Sequence, residues 1–319
     1  MFLKHILVLF DQQVNLPQPL SYVATLAIVN KASITLLNVL DSDVSGPHEQ
    51  FIDPFQWYMI KTEAESSLNK VAGVLQQHGL QVQTTILENW SIERILKYIH
   101  DYRVDLIAVH KHGACMGEKL QTLMRYICVP MLIAPSREQF SDEITIGGYQ
   151  KILVPLDGSL RAECVLPSAV NLAKALDATL LFAHVVHKPE MPRRTPASPE
   201  DFDLSDRLVE RNRVEAMKYL EQLVSRVDTK AAPRLLVSEK VSIALHNLIE
   251  QESVDLVVLS AHGYSGEPCW PCGSIAYNII SYINQALLVI QDLPSSEIPT
   301  SQHNVPIKEK SRWSGRSVA

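Results

Sequence analysis

The chain carries one sequence pattern twice, in the same order, and this duplication limits the folds open to it. The spacing between matching segments grows only from 146 to 156 residues along the 319-residue chain. Four pairs of segments carry the pattern: HILVLFDQQ (5–13) with KILVPLDGS (151–159), ASITLLNVLD (32–41) with ATLLFAHVVH (178–187), VDLIAVHKHG (104–113) with VDLVVLSAHG (254–263), and VPMLIAPS (129–136) with QALLVIQD (285–292). One module copied twice, with small insertions, explains both the shared order of the segments and the gradual increase in their spacing.

Each copy alternates short apolar runs with helical patterns. The runs 6–10 and 152–156 are each followed by an aspartate, which is typical of buried parallel strands. Further strands are predicted at 34–40, 81–87 and 105–109 in the first copy and at 179–186, 233–238 and 255–259 in the second. Long helices are predicted at about 57–78 and 204–226, and Ser91 and Ser242 are predicted as N-caps of shorter helices. We therefore predict an α/β fold of two tandem sandwiches, each a five-stranded parallel sheet with helices on both faces.

The duplication also divides the chain. It predicts a first domain at 1–136, a polar linker at 137–149 and a second domain at 150–291. Residues 292–319 contain proline, serine and lysine without a period, which is typical of a flexible tail.

Composition and charge exclude several classes of function. The net charge of −6 gives no electrostatic reason to expect nucleic acid or an anionic membrane as a partner. The start MFLKHILVLFD is not typical of a signal peptide, and no stretch approaches the roughly 20 apolar residues of a membrane-spanning helix. Five cysteines in a chain of this length do not suggest a disulfide scaffold. We therefore expect a soluble cytoplasmic protein with reduced thiols.

Candidate site residues follow the strands of the second copy. Ligands of open parallel sheets bind beyond the carboxyl ends of the strands, where the strand order reverses. Asp157, Val185 and the loop after Leu259 are predicted at those ends. That loop leads to Gly273-Ser274 at a helix start, where glycines and unpaired amides favour a phosphate. Singly, these residues are more typical of helix caps and turns than of a ligand site, so their occurrence together carries the hypothesis.

Along residues 150–291 the second copy resembles the universal stress protein family. KILVPLDGS resembles the family's opening strand, and Ser260-Ala261-His262-Gly263, nine residues, then Gly273-Ser274 resembles its ATP-binding motif, with Ser260 in place of the first glycine. The resemblance implies adenine beside Asp157 and Val185 and phosphates beside the loop 263–275, with Mg²⁺ as a further candidate. It implies the following site: Pro155, Leu156, Asp157, Val185, Ser260, His262, Gly263, Gly273, Ser274, Ile275 and Ala276.

The first copy departs from that motif. Gln12-Gln13 replaces Gly-Ser after Asp11, and the loop that follows His112-Gly113 is about six residues shorter than its counterpart. Glu118 stands where the motif has a hydroxyl, and a carboxylate there repels a phosphate at close range. We expect the first domain to keep the fold and to have lost nucleotide binding, or most of it.

The nine-residue spacer contains Cys269-Trp270-Pro271-Cys272, for which three interpretations stay open. A plain loop is favoured. A redox pair is the second, because a helix N-terminus favours a thiolate at Cys272. Zinc is the third, although His262 and the two cysteines are one ligand short of a structural site. We predict no metal site.

These observations favour an adenine-nucleotide-binding stress-response protein that senses ATP or AMP through its second domain. We expect no catalytic residues and at most slow ATP hydrolysis. The alternatives are a scaffold without nucleotide and a redox-responsive regulator using Cys269 and Cys272. The resemblance further implies that Met131–Ala134 and Leu287–Ile290 pair within one chain as a pseudo-dimer, with dimerisation between chains left open.

Overall fold

The computed structural model describes residues 3–11, 18–40, 53–111, 117–135, 148–189, 198–264 and 272–291. Most of the expected linker, the expected tail and Cys269 lie outside these residues. Residues 3–135 form the first half, whose elements in chain order are β1 (His5–Asp11), α1 (Gln18–Asn30), β2 (Ser33–Leu40), α2 (Pro54–Gln77), β3 (Val82–Glu88), α3 (Ile92–Asp101), β4 (Leu106–His110), α4 (Glu118–Tyr126) and β5 (Met131–Ala134).

Residues 148–291 form the second half, which repeats this order with one additional short helix. Its elements are β6 (Lys151–Pro155), α5 (Leu160–Glu163), α6 (Leu166–Leu176), β7 (Thr179–His187), α7 (Pro199–Arg226), β8 (Ala231–Ser238), α8 (Val241–Gln251), β9 (Leu256–Ser260), α9 (Ser274–Tyr282) and β10 (Ala286–Ile290). None of the described helices combines the length and the apolar character needed to span a bilayer.

The ten strands form one continuous sheet in the order β3-β2-β1-β4-β5-β10-β9-β6-β7-β8. Within each half all neighbouring strands are parallel, as the alternation of strands and helices predicts. The halves meet where β5 and β10 pair antiparallel, with Leu132 opposite Leu288. Because this one pair is antiparallel, the carboxyl ends of the strands in the two halves lie at opposite edges of the sheet.

Helices cover both faces of the sheet, and the apolar core accordingly has two layers. One layer packs α1, α2, α6 and α7 against the sheet, and its fully buried side chains include Leu20, Leu68 and Phe182. The other packs α3, α4, α8 and α9, with Ile95 and Ile280 fully buried. Each layer runs through both halves, so the halves share a core on each face.

Equivalent aspartates in the two halves form hydrogen bonds with the start of the first strand of each half. Asp105 Oδ2 accepts hydrogen bonds from the amides of residues 4 and 5, at 2.7 and 3.0 Å. Asp255 Oδ2 accepts from the amides of residues 150 and 151, at 2.8 and 2.9 Å. The repeated Val-Asp-Leu segments therefore connect β4 to β1 and β9 to β6 in the same way.

Local polar residues set some helix starts and miss others. Ser91 occupies the N-cap position of α3, as predicted, although its side chain makes no capping hydrogen bond; the prediction that Ser242 caps α8 is wrong. Lys240 is the N-cap there, because its backbone is extended (φ −124°, ψ 94°) and its amide donates to Ser238 Oγ at 3.1 Å. Ser242 therefore lies inside the first turn. The helix α7 begins five residues earlier than predicted because Ser198 and Asp201 form a capping box ahead of it.

Candidate functional site

A crevice opens in the second half where β6 and β9 separate at their carboxyl ends. They pair only through Ile152–Leu256 and Leu153–Val257. The amide of Leu156 donates toward β7, to Ala183 O at 2.8 Å, so the nitrogen of the preceding residue faces β9. That residue is Pro155, which has no N–H to continue the ladder. The strand order also reverses between β6 and β9, which is where open parallel sheets bind ligands.

The crevice is a cavity of about 360 Å³ lined by both predicted and unpredicted residues. Ten of the eleven site residues named from the sequence line it: Pro155, Leu156, Asp157, Val185, Ser260, His262, Gly263, Gly273, Ile275 and Ala276. Ser274, the eleventh, is the exposed first residue of α9 and is not among the lining residues.

Sequence reasoning missed eight further lining residues: Ala162, Ala183, His184, Val241, Leu245, Leu259, Ala261 and Ile279. Most are apolar and belong to helix or strand faces that pack on the core, so they carried no chemical signal. Leu245 and Ile279 are buried on α8 and α9, and helical periodicity could have placed them toward the sheet. The apolar residues among these eight form a wall beside the polar end of the cavity.

Asp157 is held by backbone amides from two segments. Its Oδ1 accepts from the amide of Ser159 at 2.9 Å, and its Oδ2 accepts from the amide of Tyr264 at 2.7 Å. Burial disfavours the charged carboxylate, but the hydrogen bonds from Ser159 and Tyr264 outweigh it and lower the pKa of Asp157 below its ordinary value. The side chain remains accessible to solvent, so the carboxylate can also accept hydrogen bonds from a ligand.

Gly263 lies against the Asp157 carboxylate. A Cβ at position 263 would overlap Asp157 Oδ2. Only glycine therefore lets the loop after β9 approach the end of β6 this closely.

The first turn of α9 points unpaired amides toward the cavity. Gly273 is the N-cap, with an extended backbone (φ −65°, ψ 160°), and its amide donates to Ala261 O at 2.7 Å. The first intrahelical bond is from Tyr277 N to Gly273 O, at 2.8 Å. The amides of residues 274–276 thus have no acceptor within the helix, which makes this turn suited to an anion.

His184 lies between this cavity and a more open groove beside α7. Its Nδ1 donates to Leu156 O at 2.9 Å, and its ring meets Tyr219 edge-on at 6.4 Å. Burial lowers the pKa of His184, although the Leu156 carbonyl and Asp157 partly oppose this. The ring is therefore neutral at pH 7, and its Nε2 is a hydrogen-bond acceptor.

The structure does not favour the thiolate at Cys272 on which the redox interpretation depends. The side chain is 3% exposed and packs in the core layer that contains α9, and this burial raises the pKa of its thiol to about 12. Desolvation therefore outweighs the adjacent helix N-terminus. Cys269, Trp270 and Pro271 lie outside the described residues. Across the part of the chain that the structure describes, no three His, Cys, Asp or Glu side chains are grouped to bind a metal.

The first half repeats the turn into the last helix with different chemistry. Gly117 is the N-cap of α4 with nearly the same backbone (φ −62°, ψ 160°) as Gly273, so Glu118 occupies the position of Ser274. Five residues separate Lys111 from Gly117, whereas eleven separate Ala261 from Gly273. The shorter loop itself, 112–116, lies outside the described residues.

Both halves match one known family. The sequence model of the universal stress protein family matches residues 3–134 and again residues 148–291. The chain belongs to the universal stress protein family. Its two halves are two such domains in tandem, which confirms the fold expected from the duplication.

Individual universal stress proteins match one half of the chain. Universal stress protein MJ0577 of Methanocaldococcus jannaschii is 30% identical over 161 residues, covering 45% of this chain and 95% of that protein. Universal stress protein A homolog 1 of Coxiella burnetii is 29% identical over 119 residues, covering 37% of this chain and 80% of that protein.

Two solved structures match the chain along most of its length. A universal stress protein from Archaeoglobus fulgidus has a TM-score of 0.62 and 15% identity, covering 89% of this chain and 96% of that one. PA1789 of Pseudomonas aeruginosa, described as functionally unknown, has a TM-score of 0.64 and 17% identity, covering 93% and 94%. These likenesses concern the fold alone.

Proposed function

We propose that the second domain binds an adenine nucleotide, ATP in the first instance, and that the protein senses it in a stress response. The observation that carries this proposal is the cavity between β6 and β9. It combines an apolar wall, a fixed carboxylate and an anion-compatible helix start within one crevice.

The three parts of the cavity fit the three parts of a nucleotide. The adenine ring fits the apolar wall formed by Val241, Leu245 and Ile279, with Val185 at the strand end beside it. Asp157 has lone pairs to accept hydrogen bonds from ribose hydroxyls. The phosphates lie at the first turn of α9, where the amides of residues 274–276 and the helix dipole favour negative charge.

Magnesium would bind chiefly through the phosphates of the nucleotide. Mg²⁺ keeps several water ligands and takes few protein ligands in such sites. This fits the described residues, among which no three His, Cys, Asp or Glu side chains are grouped to bind a metal. We assign Mg²⁺ no role beyond accompanying the phosphates.

Binding rather than turnover is the role we propose. Asp157 already accepts two backbone amides and has a lowered pKa, so it is a weak general base. His184 is neutral, but its Nδ1 is hydrogen-bonded to Leu156 O and it lies on β7, whereas the chain that leads to α9 follows β9, on the other side of β6. We therefore expect ATP hydrolysis to be slow at most.

The first domain is proposed to bind nucleotide weakly or not at all. Glu118 starts α4 where Ser274 starts α9, and its carboxylate opposes a phosphate. We propose domain bounds of 1–136 and 150–291, with a linker at 137–149 and a tail at 292–319. Pairing of β5 with β10 supports an intrachain pseudo-dimer, and a cytoplasmic location is part of the proposal.

Nucleotide binding tests the proposal with a matched pair of variants. Gly273→Asp and Gly117→Asp each place a carboxylate at the N-cap of a last helix, a position that aspartate favours. Among the described residues, a Cβ at Gly273 would meet its neighbours at no less than 3.7 Å, and one at Gly117 would meet nothing within 4 Å. Both variants should therefore fold.

Calorimetric titration with ATP and AMP supplies the measurement, together with mass spectrometry of small molecules released from the purified wild type. We expect Gly273→Asp to lose at least about tenfold in affinity through charge repulsion, and Gly117→Asp to lose none. If the wild type carries and binds no adenine nucleotide, the protein is a scaffold with this fold and the proposal is wrong.

A further inference from the structure

A buried lysine of the first domain reaches the last helix of the second. Lys111 directly follows β4 and is 3% exposed. Its Nζ donates to Ser281 O at 2.6 Å and to Ile283 O at 3.2 Å. Both carbonyls lie at the carboxyl end of α9, so the contact joins residues 170 and 172 positions apart.

The antiparallel pair β5–β10 explains this contact. It places the carboxyl ends of the first domain's strands at the same end of the sheet as the carboxyl end of α9. The last carbonyls of a helix accept no hydrogen bond from an N–H within the helix. A cation near them also complements the helix dipole. Lys111 supplies both the donors and the charge.

The other end of the same helix faces the candidate cavity. Gly273, Ile275, Ala276 and Ile279 of α9 and its N-cap line that cavity. The helix has nine residues and is therefore about 13 Å long, a single rigid segment between the lysine and the phosphate end. Any axial shift of α9 would move the amides of its first turn.

The equivalent residue in the second domain has no such side chain. The amide of Lys111 donates to Ala134 O at 3.0 Å, and the amide of Ala261 donates to Ile290 O at 2.9 Å. The two residues therefore occupy the same place in the two sheets. The second domain has a small residue lining its cavity there, and the first has a long cation directed into its neighbour.

We propose that Lys111 is a positioning residue for the nucleotide site of the second domain. On this basis, the first domain sets nucleotide affinity through α9 although it binds nucleotide weakly or not at all itself. This inference rests on the proposed function, because the affinity concerned is that of the β6–β9 cavity.

A reciprocal contact provides the matched control. Gln291, directly after β10, donates from Nε2 to Met124 O at 3.2 Å, near the carboxyl end of α4. This bond also joins the two domains, but it contacts α4, the helix that begins at Glu118 in the first domain, and not α9. Its loss should weaken the domain contact without moving α9.

The experiment compares Lys111→Met, Lys111→Arg and Gln291→Leu with the wild type. ATP affinity is measured by calorimetry, thermal stability by unfolding, and opening of α9 by hydrogen exchange of its amides. We expect Lys111→Met to weaken ATP binding about tenfold and to speed exchange along α9. We expect Lys111→Arg to recover part of both losses, and Gln291→Leu to change affinity by less than about twofold.

Three outcomes decide the inference. Equal losses of affinity in Lys111→Met and Gln291→Leu would indicate a general domain-contact effect and overturn it, as would unchanged affinity in Lys111→Met. If Lys111→Met does not fold, Lys111→Arg decides alone: a displaced longer cation should alter affinity and α9 exchange together, and no change in either overturns the inference. If the wild type binds no ATP, the proposed function fails, while hydrogen exchange still shows whether Lys111 holds α9.

Discussion

Asp157 and Gly263 lie so close together that the carboxylate of one occupies the space that a side chain on the other would need. The amide next to this glycine, that of Tyr264, donates to the same carboxylate at 2.7 Å. This hydrogen bond and this close backbone approach therefore both fix residues 263 and 264 to the end of β6.

Gly263→Ala should displace Asp157 and weaken nucleotide binding. The added methyl group pushes the carboxylate off the Tyr264 amide, and losing one such charge-assisted hydrogen bond costs about 1–3 kcal/mol. We expect ATP affinity to fall about tenfold, measured by calorimetry. Combined with Asp157→Ala, the substitution should add little further loss, because both act on one contact.

Gly148→Ala is the control for this prediction. A Cβ there would meet Leu176 O at 3.9 Å, an ordinary contact, and Gly148 lies outside the cavity. Its affinity should equal that of the wild type. Additive losses in the Gly263 and Asp157 double variant would show that the two residues do not act together.

Pro155→Leu should narrow the cavity without harming the fold. In the first domain Leu9 occupies this position, and it pairs with Val109 of β4. A leucine at 155 regains an N–H facing β9, so the β6–β9 ladder can extend toward Leu259. We expect ATP affinity to fall at least about fivefold while the melting temperature is unchanged or higher.

Hydrogen exchange of the β9 amides checks the cause of this effect. Slower exchange at residues 258–260 of Pro155→Leu would show the extended ladder. A variant that binds ATP like the wild type despite the slower exchange would show that the separation of β6 and β9 is not needed for binding.

The sequence predicted most of the elements and much of the cavity for physical reasons that are local. Apolar runs with a following aspartate predicted β1 and β6. Gly263 and Gly273 were predicted as site residues because glycine allows close approach of the backbone. These signals depend on neighbours in the chain. Because the sequence pattern occurs twice, the same elements were then predicted in both halves.

The contacts that the sequence did not predict depend on distant partners. The role of Lys111 requires knowing that the two sheets join antiparallel, since its acceptors are 170 and 172 positions away. The burial of Cys272 depends on packing around α9, which outweighs the local effect of the helix start. Lys240 is the cap instead of Ser242 because the backbone is still extended at residue 240, which serine's cap preference does not specify.

Asp157 should stabilise the fold in a pH-dependent way. Its pKa is lower in the folded protein than in the unfolded chain, so its stabilising effect is present above the unfolded value of about 3.9. The effect is lost as the pH falls through the lower, folded value. Asp157→Asn should therefore be less stable than the wild type at pH 7, and the difference should shrink below about pH 4.

Urea unfolding of both proteins at several pH values measures this difference. Asp177→Asn serves as the control, because Asp177 is an exposed carboxylate whose salt bridge to Lys230 lies on the surface, 2.8 Å long. Surface pairs of this kind contribute little to stability. A gap between Asp157→Asn and the wild type that stays constant down to pH 2 would contradict the assigned pKa direction.

Cys272 should be the least reactive of the described cysteines, which bears on the redox alternative. Only the thiolate attacks alkylating reagents, and burial raises the pKa of Cys272 to about 12, whereas Cys164 is exposed. At pH 8 we expect iodoacetamide to label Cys164 at least about tenfold faster than Cys272, as measured by peptide mass spectrometry. In urea the two rates should converge, because unfolding removes the burial. Rapid labelling of Cys272 in the folded protein, or ATP affinity that changes when reductant is removed, would instead favour a redox-responsive regulator built on the last loop before α9.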